Sequence, residues 1–457
     1  MTEELIQHYN IPVPRYTSYP PATLFSPQYT ESDYLADVME SNHSGSHDLS
    51  FYIHIPYCRN LCLYCGCNRI PHMPPLQDLE RYISAIKLEI DRISDLLDPD
   101  RQITQIHFGG GSSTSIPFHY LSEIINHLLG RFSLRPNHEI AIECHPGFID
   151  REGWQELVEM PFTRYSIGVQ DFETEVLHAC KRVPAQVDLG EVITEIHKFG
   201  KGVNLDFIYG LPLQTPDSFE QTIQYALSLS PDRIVTFSYA HVPWIHPAQK
   251  KLEEIGLPTV KDKGEMYERA SRLAENEGCL SLGLDHFVKP TDSLGIALQN
   301  HNLHRNFQGY CSKDIAAQVY GLGITGIAQL HNAYAQNFKT LPEYYAALDE
   351  GHLPIAIGYR LSHEEQIARD IITELMCNYR VDLTTLWTKD QIPYTKWADL
   401  PYVRMDALEQ MARDGLCDLN EHSLEMMSDA HFFVRNVAST FDIHYDPQNP
   451  KGYSKPI

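Results

Sequence analysis

Apolar residues recur at alternate positions or in short unbroken runs at seven places along the chain: 49–55, 103–108, 139–144, 164–169, 203–209, 233–239 and 280–284. Runs of this length, bounded by turn residues, predict strands. Between them the period lengthens to that of a helix. Residues 78–97 put Tyr82, Ile83, Ile86, Ile90, Ile93 and Leu97 on one face, and 120–129 and 219–229 follow the same pattern. Strands alternating with helices predict a parallel sheet. The near-continuous apolar character of the strands predicts burial on both faces, as in a curved barrel or partial barrel. The expected fold class is α/β.

The polar residues follow the same units. Most strand runs end in or near a chemically useful residue: a cysteine loop after Ile55, Gly109-Gly110-Gly111-Ser112 after Phe108, then Glu143, Gln170, Asp206 and Tyr239-Ala240-His241. In α/β barrels the active site lies at the carboxyl ends of the strands. One such residue is equally well explained as a helix cap. Five or six in successive units converge on one place if the barrel forms.

The pattern changes after about residue 360. Segments 363–377 and 406–414 read as helices, 415–426 alternates like a small hairpin, and 428–441 closes as a helix. Helix, hairpin, helix resembles a winged helix, expected here as a packing lid. The expected domains are an N-terminal arm over 1–48, a barrel with its extension over 49–360, and a mainly helical, winged-helix-like domain over 361–457.

Composition narrows the function. The 457 residues are 43% hydrophobic, enough for a substantial core, and no apolar run approaches the roughly 20 residues of a membrane span. The start Met1-Thr-Glu-Glu-Leu-Ile lacks a basic stretch followed by an apolar one, so no secretory signal is expected. A formal charge of −24 opposes binding to nucleic acid, and an anionic substrate must be met by a local group of cations. The expectation is a cytoplasmic protein that binds neither nucleic acid nor membrane.

Four of the ten cysteines, Cys58, Cys62, Cys65 and Cys67, fall within ten residues, the first three spaced C-x3-C-x2-C. The other six are scattered, as in a reduced compartment. Structural zinc normally takes four N or S ligands. All four cysteines on one zinc is an alternative, although a single residue between Cys65 and Cys67 leaves little room for two ligands on one ion. Three thiolates can instead hold three irons of a [4Fe–4S] cube and leave the fourth open. That is the radical S-adenosylmethionine (SAM) signature: the amino-carboxylate of SAM can chelate the open iron, beside a cluster at the low end of the potential range. The glycine run suits close backbone approach to that amino-carboxylate. Glu143 and Asp206 can accept from ribose hydroxyls or an ammonium, or serve as strand-end caps. Tyr64, inside the loop, can stack on adenine or simply cover the cube.

Together with these motifs, Pro14–Pro20 (PRYTSYP), Tyr52-Ile-His-Ile-Pro56, Gly168-Val-Gln170-Asp-Phe172, Asp206-Phe-Ile-Tyr-Gly-Leu-Pro212, Asp285-His286-Phe287, His304-Arg-Asn-Phe-Gln-Gly-Tyr310 and Tyr334-Ala-Gln-Asn337 resemble the oxygen-independent coproporphyrinogen III oxidase family over nearly the whole chain. Cys67 separates this branch from a similar haem-chaperone branch that tends to carry phenylalanine there. The resemblance implies a radical-SAM partial TIM-type barrel with a mainly helical C-terminal domain. It implies the conversion of two propionates of coproporphyrinogen III to vinyls, giving protoporphyrinogen IX and CO2 in haem biosynthesis, with a 5′-deoxyadenosyl radical removing the hydrogen. A haem-binding or haem-delivery protein on the same scaffold, or an enzyme of another tetrapyrrole, is the alternative.

Position by position, the resemblance assigns Cys58, Cys62 and Cys65 to the cluster and Cys67 to a cysteine that does not ligate iron. Tyr52 and Cys67 carry over as catalytic residues. Two SAM molecules are implied, one at Tyr52, Gly110, Glu143 and Ile327, the other at Tyr64, Gly111, Ser112, Gln170, Arg182, Asp206 and Ala240. The chain is expected to be a monomer served by an electron donor such as a flavodoxin or ferredoxin. Three positions depart from the family pattern. G-G-G-T-P-T reads Gly109-Gly-Gly-Ser112-Ser113-Thr114, E-x-D-P reads Glu143-Cys144-His145-Pro146, and Tyr64 stands where phenylalanine is common. None removes a cluster ligand. Arg15, His286, Lys289 and Arg305 are candidate cations for the substrate's propionates, or ordinary surface ion pairs.

Overall fold

The computed structural model describes residues 3–386 and 396–449. Residues 1–2 of the expected arm, and 387–395 and 450–457 of the expected C-terminal domain, lie outside the described residues. The chain divides into two compact units.

The larger unit covers 26–295 and 315–358. Its strands are β1 (Leu49–Ile55), β2 (Gln102–Gly110), β3 (Ser133–Cys144), β4 (Arg164–Gln170), β5 (Gly202–Tyr209), β6 (Arg233–Ser238), β7 (Leu280–Gly283) and β8 (His286–Val288). After the hairpin β9 (Leu303–Asn306) and β10 (Gly309–Ser312), which belongs to the other unit, come β11 (Gln318–Leu322), β12 (Ile327–Gln329), β13 (Ala333–Asn337) and β14 (Ile355–Arg360). They form one sheet in the order β14-β13-β12-β11-β1-β2-β3-β4-β5-β6-β8-β7. From β11 through β6 every pairing is parallel, and antiparallel strands flank this stretch on both sides. The ladder ends at β14 and β7 without closing, so the barrel is partial.

All seven strands expected from the sequence are present, β3 starting six residues earlier than its apolar run. Burial on both faces is observed: β1 has six of its seven residues buried. The helix Leu76–Ser94 packs Leu79, Tyr82, Ile83, Ile86, Ile90 and Ile93 into the barrel's core. Strands β8 and β11–β14 were not foreseen, and they supply both antiparallel flanks.

The amino-terminal end of the parallel strands is closed by charge. Arg164, opening β4, contacts Glu139 at 2.7 Å and Asp292 at 3.4 Å; Arg233, opening β6, contacts Asp292 at 2.9 Å and Glu139 at 3.8 Å. Burial pushes the Glu139 carboxyl up, but Arg164 and Arg233 outweigh it and bring it down to about 2. Two anions and two guanidiniums thus pair with one another, leaving Arg164 Nη1 buried without a bond.

The smaller unit gathers residues up to 25, 296–314 and 359 onward. Helices His363–Asn378 and Met405–Arg413, the sheet β15 (Arg380–Asp382)–β17 (Ser423–Met426)–β16 (Cys417–Leu419) and the helix Val434–Ser439 give the helix, hairpin, helix order. The expected 1–48 arm is shared between the units. Its first part bonds within the smaller one, through Tyr9 Oη to Asp414 (2.6 Å) and Tyr16 Oη to Asp442 (2.8 Å). Its last part forms the helix Glu31–Glu40 of the larger one.

Candidate active site

The cysteine loop leaves the carboxyl end of β1 and is tied down by backbone bonds. Cys58 N donates to Ile70 O (2.9 Å), Ile70 N to Pro56 O (2.7 Å), and Leu63 N to Cys180 O (2.9 Å). Arg182 supports the loop from the side: its Nη1 lies 3.6 Å from Cys62 Sγ, and its Nη2 donates to the Gly168 carbonyl. Burial, with Cys65 and Cys62 alongside, pushes the Cys58 thiol up to about 12, against the pull of Arg69 and Arg182. Thiols crowded in this way resist ionising together unless a cationic centre joins them.

All ten cysteines are free thiols. Among the described residues no three His, Cys, Asp or Glu side chains are close enough to share one metal ion. A cube takes each thiolate on a different iron, so its ligands stand further apart than those of a single zinc.

The glycine run follows in the next strand. Gly111 N donates to Ile55 O (2.8 Å) and Ser112 N to Tyr57 O (3.0 Å), extending the β1–β2 ladder into the loop. Gly110 has φ +115°, and an added Cβ would come within 2.6 Å of the His54 ring. Only glycine allows that backbone and that approach.

Around this turn the first group of expected residues comes together. Glu143, ending β3, accepts from Gly110 N (3.3 Å) and contacts His107 Nε2 (3.2 Å). Tyr52 stacks on His107 (5.8 Å, 21°) and reaches His54 Nδ1 (3.2 Å). Burial, Glu143 and Cys67 together hold the Tyr52 phenol well above its ordinary range. Cys67 is exposed, unlike the buried Cys62. Ile327 opens β12 against the backbone of Gly321, which is the register partner of Tyr52.

The second group sits on the next strands. Gln170 ends β4 at φ +71°, a strained conformation for this residue, beside a register shift. Its Oε1 is buried without a partner, and so is Ser112 Oγ. Asp206 accepts from Ser166 Oγ and Asn204 Nδ2, both at 2.7 Å. Burial raises its carboxyl to about 6, Glu143 adding to the rise while Ser166, Asn204 and Arg182 oppose it. Gln249 Nε2 donates to the carbonyls of Tyr64 (3.0 Å) and Ala240 (3.3 Å), joining those two positions. Buried acceptors without donors at the mouth of a barrel are where a polar ligand fits.

Two residues of this site carried no expectation. His54, buried and lowered to about 4 by burial against the opposing bond to Asn68 O, fills the space beside Gly110. His107 bridges Tyr52 and Glu143. Both share a face with Tyr52, by alternation on β1 and by register on β2; for His107 that was the sequence signal, while His54 also stands in the Tyr52–Pro56 motif without an assigned role.

The departures from the family pattern are accommodated. Thr114 Oγ1 accepts from His145 N (3.2 Å) and His145 Nδ1 from Gly147 N (3.2 Å), so the altered glycine turn and the altered E-x-D-P segment brace each other. Of the candidate cations, Lys289 lies at the amino-terminal end of the barrel, where its Nζ donates to Ser230 O (2.7 Å), away from the cysteine loop. Arg305, in the smaller unit, covers the Tyr310 ring at 4.6 Å and donates to Thr17 O (3.3 Å).

A partial parallel barrel with a three-cysteine loop at its carboxyl end is the architecture of a radical SAM protein, and the family profile described as Radical SAM superfamily matches residues 52–226. Curated relatives narrow this further. The oxygen-independent coproporphyrinogen III oxidase of Synechocystis is 36% identical over 96% of this chain and 94% of its own, and that of Escherichia coli 34% over 96% and 94%. The solved coproporphyrinogen III oxidase of Escherichia coli, described as a radical SAM enzyme, superposes with a TM-score of 0.87 at 32% identity, covering 97% of this chain and 98% of that one. The chain belongs to the oxygen-independent coproporphyrinogen III oxidase family.

Proposed function

We propose that this chain converts two propionates of coproporphyrinogen III to vinyls without oxygen, giving protoporphyrinogen IX in haem biosynthesis. When bound, the [4Fe–4S] cluster and SAM would supply a 5′-deoxyadenosyl radical that takes hydrogen from a propionate β-carbon, after which CO2 leaves and one further electron passes to an external acceptor. Cys58, Cys62 and Cys65 hold the cluster, and Arg182 steadies the Cys62 sulfur. Tyr52, Gly110, Glu143 and Ile327 hold one SAM, with Glu143 free on its exposed side to accept from an ammonium. Tyr64, Gly111, Ser112, Gln170, Arg182, Asp206 and Ala240 hold a second, for which the unpartnered Ser112 Oγ and Gln170 Oε1 provide polar contacts. Cys67 lies among Cys65, Tyr52 and Glu143, a catalytic position beside the cluster.

The observation that carries this reading is the convergence of the cysteine loop, the glycine turn and Glu143 on the carboxyl ends of β1, β2 and β3, with Asp206 on β5, in a chain alignable over nearly its whole length with an oxidase of this name. The chain works as a cytoplasmic monomer fed by a small reductant protein such as a flavodoxin or ferredoxin. No helix among the described residues is long and apolar enough to cross a membrane. Anaerobically reconstituted protein, given dithionite, SAM and coproporphyrinogen III, should release CO2 and form protoporphyrinogen IX. Turnover of a different tetrapyrrole, or tight haem binding without turnover, would overturn the reading.

A further inference from the structure

One buried carboxylate lies outside every motif above. Glu89 sits on the apolar face of the helix Leu76–Ser94 and is 1% exposed. Its Oε2 accepts from Gly323 N (2.8 Å) and Tyr344 Oη (2.6 Å), and its Oε1 from Asn337 Nδ2 (2.6 Å). No cation pairs with it among the described residues. Arg92 contributes only its field, its guanidinium donating to the Leu348 and His352 carbonyls. A carboxylate buried away from cations is costly unless hydrogen bonds replace its lost hydration.

What they hold is one turn. Asn337 also donates to Gly323 O (2.8 Å), so Glu89 and Asn337 together grip both backbone groups of Gly323. Gly323 has φ +84°, which suits glycine alone. About two helical turns before Glu89, Tyr82 Oη donates to His54 O (2.7 Å) and accepts from Ile324 N (3.2 Å). One helix face therefore fixes the β1 backbone next to the cysteine loop and the β11–β12 turn, residues 322–326, at the same time. That turn leads into Ile327 and packs beside Gly321, the register partner of Tyr52.

We infer that Glu89 is a positioning residue for SAM: its carboxylate clamps the β11–β12 turn and thereby sets the wall, at Ile327, of the SAM site next to Tyr52. The inference rests on the reading of Ile327 as a SAM contact. Glu89 touches neither SAM nor the cluster. It acts through the backbone of Gly323, so its loss should leave the cluster ligands intact and change how well the site is preformed.

The test uses cluster-reconstituted, full-length protein under anaerobic conditions. Glu89→Gln replaces one acceptor oxygen by a donor facing other donors, and should weaken SAM binding about tenfold, the scale of leaving a buried donor unsatisfied. Iron content should stay at the wild-type level, and amide exchange over residues 321–327 should rise. Tyr344→Phe removes one donor and leaves the carboxylate in place, so it should give the same changes to a smaller degree; it also covers the case in which Glu89→Gln does not fold. Unchanged SAM affinity in the folded variants overturns the proposal, whatever the exchange shows. Ile327→Asp then locates the fault. Normal SAM affinity in that variant means the assignment of Ile327 has failed, and weakened affinity means the clamp has.

Discussion

The two ends of the barrel are built from the same kinds of side chain and treat them in opposite ways. At the amino-terminal end the acids Glu139 and Asp292 are paired with the guanidiniums of Arg164 and Arg233, and only Arg164 Nη1 in this group is buried without a bond. At the carboxyl end Glu143 keeps nearly half its surface exposed, Asp206 is raised to about 6 without a partner cation in bonding distance, and Ser112 and Gln170 carry buried oxygens that bond nothing. Paired charges stabilise little beyond what an apolar filling would, but breaking one pair is costly. Unpaired acceptors cost stability in the empty site and are repaid when a ligand supplies donors. One end is finished by folding, and the other is finished by binding.

The largest expected effect is at the open end. Cys62→Ala should abolish the cluster and all SAM cleavage, read by iron content and by 5′-deoxyadenosine release, while the unfolding midpoint of the cluster-free protein moves little. At the closed end the effects should be reversed. Asp292→Ala leaves two buried guanidiniums short of an anion and should lower stability by about 3–5 kcal/mol, measured by denaturant unfolding, with SAM cleavage per folded molecule unchanged.

Smaller changes sharpen the contrast. Glu143→Gln should keep the cluster and the fold but weaken SAM binding by about 10- to 100-fold, through loss of a charged acceptor facing Gly110 N and the ligand. A loss of stability on the scale of Asp292→Ala would erase the distinction between the ends.

The smallest effects are in the pH dependence of stability, where the two ends should have opposite signs. Glu139 titrates near 2 when folded, below its unfolded value of about 4.3, so its contribution is whole above that value and lost as pH falls toward 2. Asp206, at about 6 when folded against about 3.9 unfolded, contributes fully below about pH 4 and loses that contribution as pH rises through 6. Glu139→Gln should flatten the acid-side loss, and Asp206→Asn the loss between about pH 4 and 6, in unfolding midpoints of the cluster-free protein.

Much of the open end was legible because strand ends announce it. An apolar run followed by Cys58, by Gly109–Gly111 or by Glu143 is a local pattern, and a barrel brings successive strand ends together. His54 and His107 were equally local but were given no role: His54 stood unassigned in the Tyr52–Pro56 motif, and His107 reaches the Tyr52 face only through the β1–β2 register. Glu89 was visible in the same way: it lies three residues after Ile86 and four before Ile93, an acid in the middle of an apolar stripe. The closed end was far less legible. Glu139, Arg164, Arg233 and Asp292 come from four separate segments, brought together by the sheet for the first three and by the turn after β8 for Asp292. Strands β8 and β11–β14 were missed because each is three to six residues long, several carry glycine, and tertiary pairing rather than propensity makes them strands. The hairpin β9–β10 falls in the smaller unit although barrel segments flank it on both sides, an arrangement no local pattern encodes.

The proposed chemistry requires three cysteines to hold a cube whose fourth corner is kept for SAM. Electron paramagnetic resonance of the anaerobically reduced protein, recorded before and after adding SAM, reads that corner. A [4Fe–4S] signal that changes on SAM addition and is absent in Cys62→Ala is expected. A signal indifferent to SAM, or a protein carrying one zinc on four thiolates and no cluster signal, would contradict it.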